Sequence, residues 1–175
     1  MRQYWVAPVP PFHVADGTAY TGTAAIGDIS PAPAIVIPAN ALELGSRLEF
    51  TAFGRFTSTG TPGTVIVGVY LGSGAIASGQ AVAATAATAP TTSATNQSWR
   101  LEGDASVRAV GASGSVLGLA EVSNLTVGGT LMAPPTAPTA ITVDTTVALT
   151  VRVGVTPSVT TGSWQVHFFG VRLVN

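Results

Sequence analysis

Long runs in which apolar and polar residues alternate constrain this chain more than any other feature. Arg47-Leu48-Glu49-Phe50-Thr51-Ala52-Phe53-Gly54-Arg55-Phe56 is one. Trp99 to Ala109 is another, and Val147-Ala148-Leu149-Thr150-Val151-Arg152-Val153-Gly154-Val155 is a third. A period of two sends successive side chains to opposite faces of a strand. It places Leu48, Phe50, Ala52 and Phe56 on one side of the first run, with Arg47, Glu49, Thr51 and Arg55 on the other. In the third it turns Val147, Leu149, Val151, Val153 and Val155 toward a core. Thr64 to Leu71 is apolar on both faces, as in a strand covered on both sides. No window carries the apolar spacing of a helix.

Punctuation between the runs organises the rest. Pro8, Pro10, Pro11, Pro31 and Pro33 break up residues 1–34, which read as an irregular N-terminal arm. Residues 35–175 read as a single domain. Thr57 to Gly63 suggests a hairpin between its flanking strands, and Gly111-Ala112-Ser113-Gly114 suggests another. The threonines and Pro90 argue against helix in the Ala-rich stretch 81–96, which reads as one short strand and a long loop. Ala133-Pro134-Pro135-Thr136-Ala137-Pro138 reads as a stiff polyproline-like excursion. In the last run the apolar phase flips at Phe168-Phe169, which predicts a bulge. About eight strands separated by turns predict an all-β fold: a two-sheet antiparallel β-sandwich or jelly roll.

Composition narrows the possible functions. Charged residues make up 9% of the chain, against roughly 25% in an average soluble domain. Hydrophobic residues make up 46%, yet no apolar run approaches the ~20 residues of a membrane helix. The excess apolar surface is therefore expected between protein subunits rather than in lipid. All seven basic residues are dispersed arginines, so no basic block exists to neutralise nucleic-acid phosphates. Cys is absent, which removes disulfides and thiolate metal sites. Met1 to Pro8 lacks the apolar segment of a secretory signal.

Catalytic patterns are missing. His13 and His167 are the only histidines, without a metal-binding spacing around them. Gly111-Ala112-Ser113-Gly114-Ser115 lacks the last glycine of a nucleophile elbow and sits between strands. Glu102 and Asp104 share a strand face at a spacing near that of glycosidase carboxylates. With eight acids offset by seven arginines, surface ion pairs are the simpler expectation. Trp99 and Trp164 stand in phase with core positions and are expected in packing rather than in a sugar platform. Trp5, beside Tyr4 in the arm, has the character of an interface anchor. No catalytic residue, metal ligand or cofactor site is assigned.

Ile37-Pro38-Ala39-Asn40-Ala41-Leu42, Gly45-Ser46-Arg47-Leu48, Gly54 to Thr64 and Val67 to Gly72 together resemble a recurrent pattern in structural proteins of tailed bacteriophages. Trp99-Arg100-Leu101-Glu102, Ser115-Val116-Leu117-Gly118 and Asp144 to Asn175 fit its middle and end. The likeness spans residues 35 to 175 and rests on turn and strand phrasing. It implies a virion protein similar to jelly-roll head-decoration proteins or to small tail or fibre proteins. The first implies a non-enzymatic capsid decoration (cement) protein on the outer capsid surface. Such a protein would be a homo-oligomer, expected as a trimer, with the major capsid protein as partner and neither nucleic acid nor membrane. The arm, through Arg2, Tyr4, Trp5 and Phe12, would supply the capsid contacts. The alternative is a phage tail or fibre protein that binds host surface carbohydrate.

Overall fold

The computed structural model describes residues 15–21, 25–125, 139–160 and 162–174, together with the backbone of Tyr4–Trp5. The strands are β1 (Tyr4–Trp5), β2 (Gly27–Asp28), β3 (Ile35–Ile37), β4 (Arg47–Ser58), β5 (Val65–Gly72) and β6 (Ala81–Ala84). They continue as β7 (Gln97–Ala109), β8 (Gly114–Ser123), β9 (Ile141–Val143), β10 (Leu149–Pro157) and β11 (Gly162–Val174). A 3₁₀ turn, Ser78–Gln80, precedes β6.

These strands form the expected all-β sandwich of two antiparallel sheets. One sheet has six strands in the order β1-β11-β4-β7-β8-β9. The other has the order β2-β10-β5-β6, and β3 also pairs with β10. Alternation fixes the faces. Leu48, Phe50, Ala52 and Phe56 of β4 point inward, as do Trp99, Leu101, Ala105 and Val107 of β7. Val65, Val67, Val69 and Leu71 of β5 meet them from the opposite sheet, beside Val151, Val153 and Val155 of β10. Phe56 and Trp164 stack within this core at 4.7 Å and 7°. An aromatic pair of this kind adds about 0.5–1.5 kcal/mol to the area it buries.

In the β4–β11 pair, Gly54 lies against the Gln165 carbonyl, and an added Cβ would collide with it. Buried hydroxyls fasten loops to the sheets. Thr85 Oγ1 accepts from Val67 N at 3.1 Å, and Ser58 Oγ accepts from Ala94 N at 3.0 Å.

Three local expectations need correction. Thr57 to Gly63 does not close a hairpin, because β4 and β5 lie in different sheets. Both edges of β4 are taken, by β11 and β7, so β5 has no place beside it. The connection crosses the ~10 Å gap between sheets instead. Val147 does not face the core: it is 38% exposed, and β10 begins only at Leu149. The carboxylate of Asp144 accepts from Thr146 N (2.9 Å) and Thr146 Oγ1 (2.6 Å). That side-chain turn puts Thr145 inside and breaks the alternation before the strand starts. The bulge in β11 falls just ahead of the predicted place. Val166 pairs with Gly54 and Phe168 with Phe53, which leaves His167 as the extra residue.

The hairpin from β7 to β8 forms as expected. The described part of residues 1–34 runs along the sandwich. Gly17 N donates to Val166 O, Tyr20 and Trp164 exchange backbone bonds, and Ile29 is fully buried in the common core. His167 Nδ1 lies 2.7 Å from Asp16 Oδ1, joining this segment to the bulge.

Candidate interaction surface

Three turns converge at one end of the sandwich, where β4 begins and where β7 and β11 finish. Arg47 pairs with Ser106 on one side and Val174 on the other, which fixes the level. The turn before β4 is held by Gly45 N donating to Val107 O (2.9 Å) and Val107 N donating to Ser46 O (2.9 Å). Gly45 has φ 86°, a left-handed conformation that suits glycine. The β9–β10 turn joins it through Asn40 N donating to Thr145 O at 2.8 Å. The β7–β8 turn joins through Gly111 N donating to Thr145 Oγ1 at 2.7 Å and Thr145 N donating to Gly111 O at 3.0 Å. Thr145 is buried, so one hydroxyl and its backbone tie two turns together while a backbone bond brings in the third.

Each turn carries one exposed apolar side chain. Leu44 is 71% exposed, Val110 49% and Val147 38%. Each sits next to a turn residue: Leu44 before Gly45, Val110 before Gly111, Val147 after Thr146. Three large apolar groups thus stand exposed on hydrogen-bonded turns at one end of the sandwich. β1 lies at the same end, with Tyr4 opposite Val174 and Trp5 opposite Leu173. The backbone of the predicted contact residues Tyr4 and Trp5 is thereby placed as an edge strand. Arg2 and Phe12 lie outside the described residues, as do His13 and the proline-rich segment 133–138.

The open face of the six-stranded sheet runs back from this end. Reading across it by register, Arg172, Glu49, Asp104 and Leu119 form one row, and Gly170, Thr51, Glu102 and Glu121 the next. Two like-charged pairs, Glu49 with Asp104 and Glu102 with Glu121, stand directly opposite each other, which is unfavourable alone. Arginines offset them. Arg172 Nε donates to Glu49 Oε2 at 2.6 Å, Arg47 Nε to Asp104 Oδ1 at 2.7 Å, and Arg100 Nη2 to Glu102 Oε1 at 2.6 Å. The hydrogen bond to Asp104, and then the charge of Asp104, raise the Arg47 pKa above its ordinary value.

Glu102 and Asp104 are thus engaged as ion pairs on an open face. Among the described residues, no group of three or more His, Asp or Glu side chains is placed to hold a metal ion. None of their helices is long and apolar enough to cross a membrane. Trp99 and Trp164 are both buried in the core.

Neither a protein-family model nor a curated protein sequence matches this chain.

Proposed function

We propose that the chain is a non-enzymatic structural protein of a bacteriophage virion, a capsid decoration protein that binds the assembled head and stabilises it. The observation that carries this reading is the turn-bound end of the sandwich. Leu44, Val110 and Val147 stand exposed there on a hydrogen-bonded support, beside the β1 edge strand. The resemblance of residues 35–175 to tailed-phage structural proteins supplies the class of partner, the major capsid protein, and the expectation of a trimer on the outer capsid surface. The mechanism is mechanical. A ligand that binds only the assembled lattice shifts the equilibrium toward assembly. A contact of about 800 Å² per partner is enough for specificity, and repetition over the lattice adds avidity.

The rival tail or fibre reading looks to Trp or Tyr side chains beside carboxylates in a groove. The burial of Trp99, Trp164 and Tyr70 gives that arrangement less support.

The test is attachment to purified heads that lack the protein. Leu44→Ser combined with Val110→Ser is expected to reduce capsid occupancy at least about tenfold while leaving the fold intact, since interface anchors cost upward of ~1.4 kcal/mol each. Removal of residues 1–20 tests the contribution of the arm in the same assay. Heads loaded with the wild-type chain are expected to survive heating and osmotic shock that breaks unloaded heads. Equal survival would sink the proposal.

A further inference from the structure

The far end of the open face, away from the three turns, has a different chemistry. Two further rows lie there: Phe168, Phe53, Arg100 and Ser123, then Gln165, Arg55 and Ser98. Gly170 leaves room for the Phe168 ring, whose Cζ would lie 3.1 Å from an added Cβ. Phe53 stacks on Phe168 at 5.1 Å and 13°, and it remains 46% exposed. One face of the Phe53 ring is therefore used in the stack, while much of the side chain stays open to solvent. An aromatic face carries a negative quadrupole that attracts the C–H groups of a pyranose ring and the charge of a guanidinium.

Arg55 stands beside it, already positioned. Its Nε and Nη2 donate to Gln165 Oε1 at 3.3 and 3.2 Å. Gln165 is itself fixed, because its Nε2 donates to Gly17 O at 3.0 Å. Among the described residues no carboxylate forms an ion pair with Arg55 or Arg108, whereas Arg47, Arg100, Arg152 and Arg172 each meet one, and of the two only Arg55 stands beside the aromatic stack. These two rows hold two arginines and no acid, while the two rows before them hold four acids and one arginine. The acids thus occupy the middle rows of the face, with Arg47 and Arg108 toward the three turns and Arg100 and Arg55 toward the aromatic stack.

We infer that this end of the face is a binding site for an acidic saccharide, a polymer of pyranoses that bear carboxylates. The pyranose stacks on the open side of Phe53, and its carboxylate pairs with the Nη edge of the Arg55 guanidinium, whose Nε side Gln165 holds. Arg100, shared with Glu102, supplies a second donor for ring hydroxyls. The site lies at the opposite end of the open face from Leu44, Val110 and Val147, so one molecule can hold a protein lattice and a glycan together. The inference does not depend on the capsid reading, since the isolated chain tests it.

The probes are polygalacturonate as the acidic polymer and dextran as the neutral one, in affinity electrophoresis of the full chain. Polygalacturonate is expected to retard the wild-type protein, with retardation falling as salt rises, and dextran to retard it far less. Phe53→Ala and Arg55→Gln are each expected to weaken binding about tenfold, and both together more. Leu44→Ser is expected to leave glycan binding unchanged, which separates this site from capsid attachment. Both substituted residues are exposed, and circular dichroism verifies that the variants fold. Absence of retardation, or equal retardation of wild type and Phe53→Ala, would overturn the inference. So would sedimentation showing that Phe53→Ala turns an oligomer into a monomer, which would assign the face to a second copy of the chain.

Discussion

The outer faces of the two sheets are built from similar strands and end up opposite in character. That of the six-stranded sheet is open and carries ion pairs laid out in rows. That of the five-stranded sheet is covered by its own chain. Tyr70 is buried there, and an added Cβ at Gly154 would meet Ile76 Cδ1 and Tyr70 Cε2 at 2.6 Å and Ile26 Cγ2 at 3.0 Å. Gln80 folds over Gly72 on the same face. Arg152 is largely buried and lies 3.3 Å from Asp28, with its Nη1 and the Oε1 of Gln80 enclosed and unpaired. Gly72 and Gly154 on the outer face of this sheet thus mark places where the chain folds back over it. Among the described residues, the six-stranded face and the turns at its end stay open.

Substitutions that sharpen this contrast fall in a clear order. Tyr70→Ala empties a packed site and is expected to cost ~3–5 kcal/mol in urea unfolding. Phe53→Ala on the open face forfeits little beyond its stack, at most ~1.5 kcal/mol. Equal losses would mean that the two faces do not differ as described. Next come the ion pairs. Arg152→Ala is expected to destabilise by about 1–2 kcal/mol, because it removes a side chain that is only 18% exposed together with its pair to Asp28. Arg172→Ala, on the open side of Glu49, is expected to cost less than ~1 kcal/mol. Double-mutant cycles with Asp28→Asn and Glu49→Gln isolate the two pair energies.

The smallest effect is alkaline. Burial raises the Tyr70 pKa, while the hydrogen bond with Thr156 lowers it in part. The folded state therefore holds the phenol proton more tightly than the unfolded state, whose tyrosine titrates near ~10. The contribution is complete below that value and is lost as pH rises through the folded pKa. Tyr70→Phe is expected to flatten the fall in melting temperature above about pH 10. An unchanged fall would place its origin elsewhere.

The fold was legible wherever alternation was clean. β4 and β7 follow the period of two, and their inward sets come straight from it. Legibility stopped at pairing. A run such as β5, apolar on both sides, says that it is covered but not by what. The partners of β5 are β10 and β6, one of them far along the chain. Val147 shows the second limit: a polar turn from Asp144 to Thr146 outweighed an alternation that continued through it in the sequence. The turn-bound end was the least legible part. Leu44, Val110 and Val147 sit far apart in sequence, each an apolar residue next to a turn signal, and the bonds around Thr145 and Val107 bring their turns together. The Phe53–Phe168 stack was hidden by the bulge at His167, which brings the two side chains to the same face.

β11 lies between β1 and β4, so the longest described strand of the C-terminal region is an interior slat of the larger sheet. A nascent chain emerging from the ribosome cannot finish that sheet until this stretch is released. Before then, the inward side of β4, with Phe50 and Phe56, has an open lateral edge. Contacts this distant in sequence place folding in the slow, millisecond-to-second class of β-sandwiches. Until β11 docks, the half-built sheet is at its most vulnerable to pairing with the wrong neighbour.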